Sequence, residues 1–495
     1  MSSLFSVGLD GTKWTFSATA LGAILQIVTT IVMARLLDPT AFGLMAMANV
    51  VTSFGSYIAR LGLGSALVQA EQVSDRDVDF ALTLSVLLGA VTAASIWIAS
   101  PLISNIFREP RLTFVIQIVG ISMVFTAVSS TLIGLLTREM KFKQIAIVET
   151  VASIGGSGLV GITAAALGLG VWSLVLATLT AGGLKTLGSV LALARRFRPR
   201  LAFSEHRRLV NFGSRFSVNS LLEYFSGNLD TIVAGRVLTS NFVGLYNRAF
   251  MVANLPMQMV VSSITRVMFP SFSRLQSDRK RLSEAELKLF ALVGSLTMSI
   301  CLGMIPAARN IVLVLLGDQW TGAIDVLRIL LLAVPLNFMA HVLSLTMDSA
   351  AELKRKTRVQ AWVLVVFVVL LVVLSGSGMT GIAWAVVVSE LFRLILYALE
   401  TTRIFGYAPA VIAWPMLGIV LPGVVVWGAI SLVSVLGNEL PPLVGLLLQM
   451  GTGAAAVVVF FWVNVPKYLG LDVNASVGAT ARRLARERLG GGDSS

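Results

Sequence analysis

Arg215, Asn219, Glu223, Ser226 and Asp230 recur every three or four residues. On a helix they share a face within about an 80° arc. Two carboxylates, a guanidinium, an amide and a hydroxyl on one face can hold an anion, hold a cation or proton, or pair among themselves. Three other segments carry polar stripes of this kind. Thr15, Thr19, Gly22, Gln26, Thr29 and Thr30 form one; Asn49, Thr52, Ser53, Ser56 and Arg60 form another. Asn247, Asn254, Gln258, Ser262 and Thr265 form the last, with Arg248 at its edge. Metal chemistry is not expected, because the chain has one cysteine, Cys301, and two separated histidines, His206 and His341. Gly156-Ser157-Gly158-Leu159-Val160-Gly161 matches G-x-G-x-x-G, but it sits in an apolar run without a preceding strand or a following acidic ribose ligand. It reads as helix packing through small residues. Gly182-Gly183-Leu184-Lys185-Thr186 lacks the spacing of a phosphate loop. No cofactor is expected, and no loop carries a catalytic constellation.

The elements that hold these stripes must cross a membrane. Charged residues make up 13% of the chain and hydrophobic ones 56%, against about 25% charged in soluble domains. The apolar residues come in runs such as Val359–Leu374 and the uncharged Val411–Val435. About 20 apolar residues in a helix span a roughly 30 Å hydrocarbon core. The pattern predicts an all-α polytopic membrane protein with about fourteen transmembrane helices. They fall at 14–37, 42–62, 80–103, 113–135, 144–168, 171–193, 211–235, 241–265, 287–306, 325–350, 357–376, 380–401, 413–436 and 442–463. The ninth is expected to end or kink at Pro306. The first apolar segment is too long for a signal peptide and is read as a retained helix.

The four stripes fall on the first, second, seventh and eighth helices. An unpartnered polar group in hydrocarbon costs several kcal/mol, so these faces should meet each other or water. Interhelical packing would also account for the Ser and Thr positions. The charged residues favour a hydrophilic cavity, since a charge near the membrane centre costs about 2.5–3.5 kcal/mol on insertion scales. Arg60, Arg215 and Arg248 are the candidate partners for an anionic group. Gln26, Asn49, Asn219, Asn247, Asn254 and Gln258 are the neutral cavity candidates. Glu223 and Asp230 are ion-coupling candidates, or they pair with the arginines.

Charge sets the orientation. With a cytoplasmic N-terminus, only Arg35, Arg108, Arg111, Arg236, Arg309 and Arg328 lie on the outer side. The clusters Arg195–Arg208, Arg274–Lys288, Lys354–Arg358 and Arg482–Arg488 all lie inside, which is the positive-inside bias. The net charge of +13 therefore reports topology and attraction to anionic lipids rather than nucleic-acid binding. Ser283-x-x-Glu286 reads as a capping box, and residues 479–489 as a basic amphipathic surface helix. The chain also matches itself at an offset of 201 residues: Ala34-Arg35-Leu36-Leu37 with Gly43-Leu44, against Gly235-Arg236-Val237-Leu238 with Gly244-Leu245. A second echo pairs Gly170-Val171-Trp172 with Gly381-Ile382-Ala383-Trp384. An even number of helices separates the copies, so the repeat is parallel. The expected division is a six-helix lobe over 1–200, a second over 201–408, two further helices over 409–466 and a basic cytoplasmic tail over 467–495.

Several stretches resemble a known family. They are Ala34-Arg-Leu-Leu-Asp-Pro-Thr-Ala-Phe-Gly-Leu44, Asn228-Leu-Asp230-Thr-Ile-Val-Ala-Gly-Arg236, Gly244-Leu-Tyr246-Asn-Arg248-Ala249, Phe269-Pro270-Ser-Phe-Ser-Arg274-Leu and Gly317-Asp-Gln-Trp320. Their order and spacing resemble the Wzx-type oligosaccharide flippases, especially the WzxC-like polysaccharide exporters, of the multidrug/oligosaccharidyl-lipid/polysaccharide (MOP) superfamily. The resemblance implies a V-shaped two-lobe bundle of MATE-like type with two C-terminal helices in the bacterial inner membrane. It implies transport of polyprenyl-pyrophosphate-linked oligosaccharide units (undecaprenyl-pyrophosphate type) to the periplasmic leaflet for exopolysaccharide or lipopolysaccharide. A polysaccharide polymerase and a chain-length regulator are the implied partners. It also implies a cationic cavity in which Arg60, Arg215 and Arg248 meet pyrophosphate or acidic sugars; Glu223 departs from that pattern. The alternatives are an ion-coupled multidrug exporter of the same superfamily, or a membrane-embedded glycan polymerase or ligase.

Overall fold

A computed structural model of the chain describes residues 22, 25–195, 197–201, 224, 227–255, 278–349, 352–406, 410–437 and 439–468. Arg215, Asn219, Glu223, Gln258 and the expected surface helix at 479–489 lie outside them. Every regular element among the described residues is helical. Among the described residues ten stretches are long and apolar enough to cross a membrane, and the chain is a multi-pass membrane protein. The expected count of fourteen reaches into residues outside the description.

The chain divides into two compact units. The first holds Met1–Arg248 with Leu315–Trp320 and Ser377–Ile382. It contains α1 (Leu25–Leu36), α2 (Pro39–Arg60), α3 (Leu63–Gln69), α4 (Asp75–Phe107), α5 (Leu112–Gly120), α6 (Ser122–Arg138) and α7 (Phe142–Ser153). A π-helical turn (Ile154–Gly161), α8 (Ile162–Ala166), α9 (Val171–Leu193), α10 (227–237) and the start of α11 (240–255) follow. The second unit holds the remainder: most of α12 (Arg279–Leu315), α13 (Ile324–Ser349), α14 (Leu353–Leu374), most of α15 (Gly378–Phe405), α16 (Ala410–Leu436) and α17 (Pro442–Tyr468).

Local chemistry sets the helix ends. Asp38 caps α2 by accepting from the Ala41 amide at 2.9 Å, with Pro39 at the first helical position. Ser74 and Asp77 form a reciprocal capping box that starts α4 five residues before the expected 80. The second expected helix does not end at 62. It breaks at Leu61 and Gly62, both with positive φ, and continues as α3. Arg138 then donates to the carbonyls of Leu67 at 2.8 Å, Ala70 and Glu71 at 3.1 Å, satisfying acceptors that the end of α3 leaves open.

Two expectations are corrected in the second unit. Ser283 does not cap a helix: Asp278 accepts from the Arg281 amide at 3.1 Å, and α12 is already under way at Arg279. Pro306 does not end that helix, which runs on to Leu315; α4 and α13 likewise carry Pro101 and Pro335 internally. One missing amide is tolerated in a membrane helix whose neighbours re-satisfy the backbone. Close packing also shapes this unit. A Cβ on Gly303 would press on Val426, and one on Gly423 on Met298, so α12 and α16 meet through glycines.

The repeat is visible in the backbone. α1 stops at Leu36 and α2 starts at Pro39; α10 stops at 237 and α11 starts at 240. The Leu37 amide donates to Met33 at 3.0 Å, and the Leu238 amide, at the same 201-residue offset, donates to Ala234 at 2.8 Å. The second echo is out of step by a turn. Gly170 precedes α9 with φ +57°, but the positive-φ glycine at the start of α15 is Gly378, and Gly381 lies inside the helix.

The two copies touch at the offset-related glycines. A Cβ on Gly43 would collide with the Ser240 carbonyl oxygen, and one on Gly244 with the Pro39 carbonyl oxygen. The first turns of α2 and α11 therefore cross backbone to backbone, which no larger residue permits. Turns from elsewhere in the unit brace this crossing. Ser240 Oγ donates to Glu109 Oε2 at 2.9 Å. Trp320 Nε1 and Gln319 Nε2 each donate to the Ala34 carbonyl at 2.8 Å. Trp320 is fully buried and meets Phe42 edge-on, with ring centroids 5.4 Å apart. Gly43→Val should cost at least the roughly 1–3 kcal/mol of core overpacking, read as a lower melting temperature of the detergent-extracted protein. Gly183→Ala, where nothing lies within 4 Å, should leave it unchanged or higher.

Candidate functional site

A cavity of about 250 Å³ lies inside the first unit, beyond the glycine crossing. α2 contributes Phe42, Asn49, Val50 and Ser53, and the π-helical turn contributes Ser157. α9 supplies Thr178, α10 supplies Asn228 and Thr231, and α11 supplies Asn247 and Arg248. Hydroxyls and amides thus face one space from both copies of the repeat. Among the described lining residues Arg248 alone is charged. Its guanidinium carbon sits 3.9 Å above the Phe42 ring centroid. That stacking engages the flat face of the group, while its N–H donors lie in the plane, the direction from which phosphate or carboxylate oxygens approach.

The acid next to this cavity is turned away from it. Asp230 is buried; Tyr246 Oη donates to its Oδ2 at 2.7 Å, and the Thr231 amide donates to its Oδ1 at 2.7 Å. Its carboxylate therefore ties α10 to α11. The Asp230 carboxylate is thus engaged in the wall behind the cavity.

The expected residues distribute as follows. Asn49, Asn247 and Arg248 line the cavity, as does Ser53 of the second stripe. Gln26 is exposed on α1. Asn254 donates to the Phe250 carbonyl at 2.9 Å on its own helix. Arg60 is exposed at the last residue of α2, just before the Leu61–Gly62 break, 6.0 Å from the Tyr57 ring. It does not line this cavity. Arg215, Asn219, Glu223 and Gln258 lie outside the described residues.

Sequence reading missed Ser157, Thr178, Asn228 and Thr231. Ser157 belongs to the glycine-rich segment, whose packing role the structure bears out: a Cβ on Gly156 would press on Ala177 and Ala181 of α9. The π-helical winding there departs from a 100° period, so a helical wheel misplaces Ser157. Asn228 and Thr231 flank Asp230, and a stripe centred on the charged residues passes over them. Tyr224 was missed as well. It packs against Phe54 and Tyr57, with centroids 6.2 and 5.4 Å away, and donates to the Val50 carbonyl. In the second unit, buried Glu390 accepts from Asn337 at 3.1 Å and pairs with Arg393 at 3.1 Å. Arg355 bridges α14 to Glu400 of α15 at 3.2 Å.

The first unit thus combines a crossed pair of repeat helices with a polar cavity in which Arg248 is the one charged residue among the described lining. The chain belongs to the polysaccharide biosynthesis protein family, whose model matches residues 32–325. It is 28% identical over 328 residues to the lipopolysaccharide biosynthesis protein WzxC of Escherichia coli (strain K12), covering 65% of this chain and 66% of that one. It is 28% identical over 313 residues to the succinoglycan biosynthesis transport protein ExoT of Rhizobium meliloti (strain 1021), covering 62% of each. Both matches span just under two thirds of the relative's length. Its fold is that of a solved lipid II flippase, MurJ, in an inward closed conformation. That likeness has a TM-score of 0.72 over 91% of this chain and 99% of that one, at 12% identity. It is also similar to an inward-facing multidrug-resistance MATE transporter of the MOP superfamily, with TM-score 0.61, 17% identity, and 78% and 94% coverage. The all-helical membrane fold expected from the sequence agrees with these likenesses.

The geometry of Asp230 yields a discriminating test. Tyr246→Phe removes one donor from a buried carboxylate and should cost about 1–3 kcal/mol, lowering the melting temperature. Asp230→Asn keeps one acceptor oxygen for the Thr231 amide and turns the other into an NH2 donor, which the rotatable Tyr246 hydroxyl can accept, and should cost less. A variant at Asp230 that melts normally yet loses all transport would instead make this carboxylate the ion-coupling group.

Proposed function

We propose that this chain is a flippase. It moves polyprenyl-diphosphate-linked oligosaccharide units across the bacterial inner membrane for assembly of a surface polysaccharide, and it makes and breaks no covalent bond. The observation that carries this reading is the cavity whose only charged described lining residue is an arginine. A diphosphate entering hydrocarbon loses its hydration; a stacked guanidinium with hydroxyl and amide neighbours replaces part of it. The polyprenyl tail, being apolar, stays in lipid.

The cavity's 250 Å³ equals the volume of about eight waters. That suits a diphosphate or one sugar ring and is too small for a whole repeat unit. A transport cycle therefore needs a more open state, reached by rocking of the lobes over 1–200 and 201–408. Arg60 and Arg215 are proposed to meet the anionic group along its route, with Gln26, Asn219, Asn254 and Gln258 as further hydrogen-bonding positions. Glu223 and Asp230 remain the coupling candidates for an ion gradient. The positive clusters support cytoplasmic termini, and a polysaccharide polymerase and a chain-length regulator are the proposed partners that take up the product. The similarity to a lipopolysaccharide biosynthesis protein, a succinoglycan biosynthesis transport protein and a lipid II flippase supports the substrate class.

The fold likeness to a MATE transporter supports a second reading, export of a small cationic drug. Proteoliposomes holding a polyprenyl-diphosphate oligosaccharide separate the readings. The flippase reading expects time-dependent exposure of the sugar to an external glycosidase, and at least a tenfold lower initial rate for Arg248→Ala at unchanged melting temperature. Uptake of drug cations without sugar translocation would overturn it, as would formation of a covalent glycan product.

A further inference from the structure

Lys185 and Glu149 form an ion pair on α9 and α7, with Lys185 Nζ 3.0 Å from Glu149 Oε1. Both lie well inside apolar spans, Phe142–Ala166 and Val171–Leu193. A pair whose purpose is to hold two membrane helices together would be sealed between them. Here the side chains are 35% and 53% exposed. The direction of that exposure is informative. On α9, the exposed leucines Leu176 and Leu187 lie about 180° and 200° around the helix from Lys185. On α7, exposed Ile147 and Val151 lie about 200° to either side of Glu149. Each charged residue thus faces away from the aliphatic, lipid-facing side of its own helix.

Lys185 also shares its helix face with Thr178, seven residues earlier, which lines the cavity. Seven residues on a helix advance roughly 10 Å. The face of α9 that enters the cavity at Thr178 therefore continues, towards the Leu193 end of the helix, to a half-exposed ammonium held by one carboxylate. An exposed lysine–carboxylate contact is weakly held, and a phosphate oxyanion is a stronger partner for the same point charge.

We propose that Lys185 and Glu149 form an exchange site for a phosphate oxyanion on the approach to the cavity. The substrate's diphosphate displaces Glu149 from Lys185 before the head group reaches Arg248. This rests on the flippase reading above and adds to it a second anion subsite, outside the four polar stripes read from the sequence. Glu149 acts as a placeholder: it neutralises Lys185 in the empty protein and is released when the diphosphate arrives.

The test is binding of undecaprenyl diphosphate to the full-length protein in phosphatidylcholine nanodiscs, by native mass spectrometry. Glu149→Gln should tighten binding at least threefold, because the placeholder is gone. Lys185→Met should weaken it at least tenfold, and the double variant Glu149→Gln/Lys185→Met should match Lys185→Met. If Lys185→Met does not fold, the charge-neutral double variant alone supplies the readout. Binding within twofold of the unaltered protein in all variants makes the pair a structural bridge and overturns the inference. An effect of these variants on phosphatidylglycerol retention, with diphosphate binding unchanged, assigns the site to a lipid head group and also overturns it. The flippase reading survives either result if Arg248→Ala still weakens diphosphate binding; it fails with the inference if the unaltered protein does not bind the probe.

Discussion

Two backbone carbonyls, of Pro39 and Ser240, press on Gly43 and Gly244 at the start of the opposite helix. Nothing larger than hydrogen fits at either position, so α2 and α11 approach more closely than side chains would allow. The consequences run along both helices. Phe42, one residue before its glycine, is held under Trp320 on one side and Arg248 on the other. One to three turns beyond the crossing, Asn49, Ser53, Asn247 and Arg248 border a cavity rather than each other. Asp230 and Tyr246 then bind α10 to α11 in the wall behind the cavity.

The charge balance of this arrangement follows from where each group finds its partner. A membrane interior tolerates few uncompensated charges. Asp230 is satisfied within the wall by a tyrosine hydroxyl and a backbone amide. Arg248 is stabilised through its face by an aromatic ring and is the one charged group among the described lining residues. The charges in the second unit differ in kind: Glu390 with Arg393, Lys356 with Asp348 and Arg355 with Glu400 are matched acid–base pairs that join or staple helices.

Much of this architecture is legible in the amino-acid order, and the reasons for success and failure are physical. Helices longer than a bilayer is thick leave long apolar runs, so the spans from Asp75–Phe107 to Pro442–Phe460 fall where hydropathy places them. The repeat is legible because a backbone crossing demands glycine at two offset-related positions. Asn49, Asn247 and Arg248 are legible because polar residues at helical spacing need an aqueous or polar partner. What is not legible depends on local departures from an ideal helix. The π-helical winding at Ile154–Gly161 turns Ser157 into the cavity, and Arg60, the last residue of α2, shares the face of Asn49 but lies beyond Ser53, the last α2 residue to line the cavity. Periodicity also cannot distinguish an acid that faces a cavity from one, such as Asp230, that is turned into the wall behind it.

The claim on which the account rests is that water reaches the polar faces of α2 and α9 inside the bilayer. Cys301 is buried, and its replacement by serine gives a background without thiols. Single cysteines at Asn49, Ser53, Thr178 and Lys185 should then react with a charged, membrane-impermeant maleimide, while cysteines at Val151 and Leu187 should not. Unreactive positions along the polar faces, or equal reactivity at the lipid-facing pair, would contradict the account.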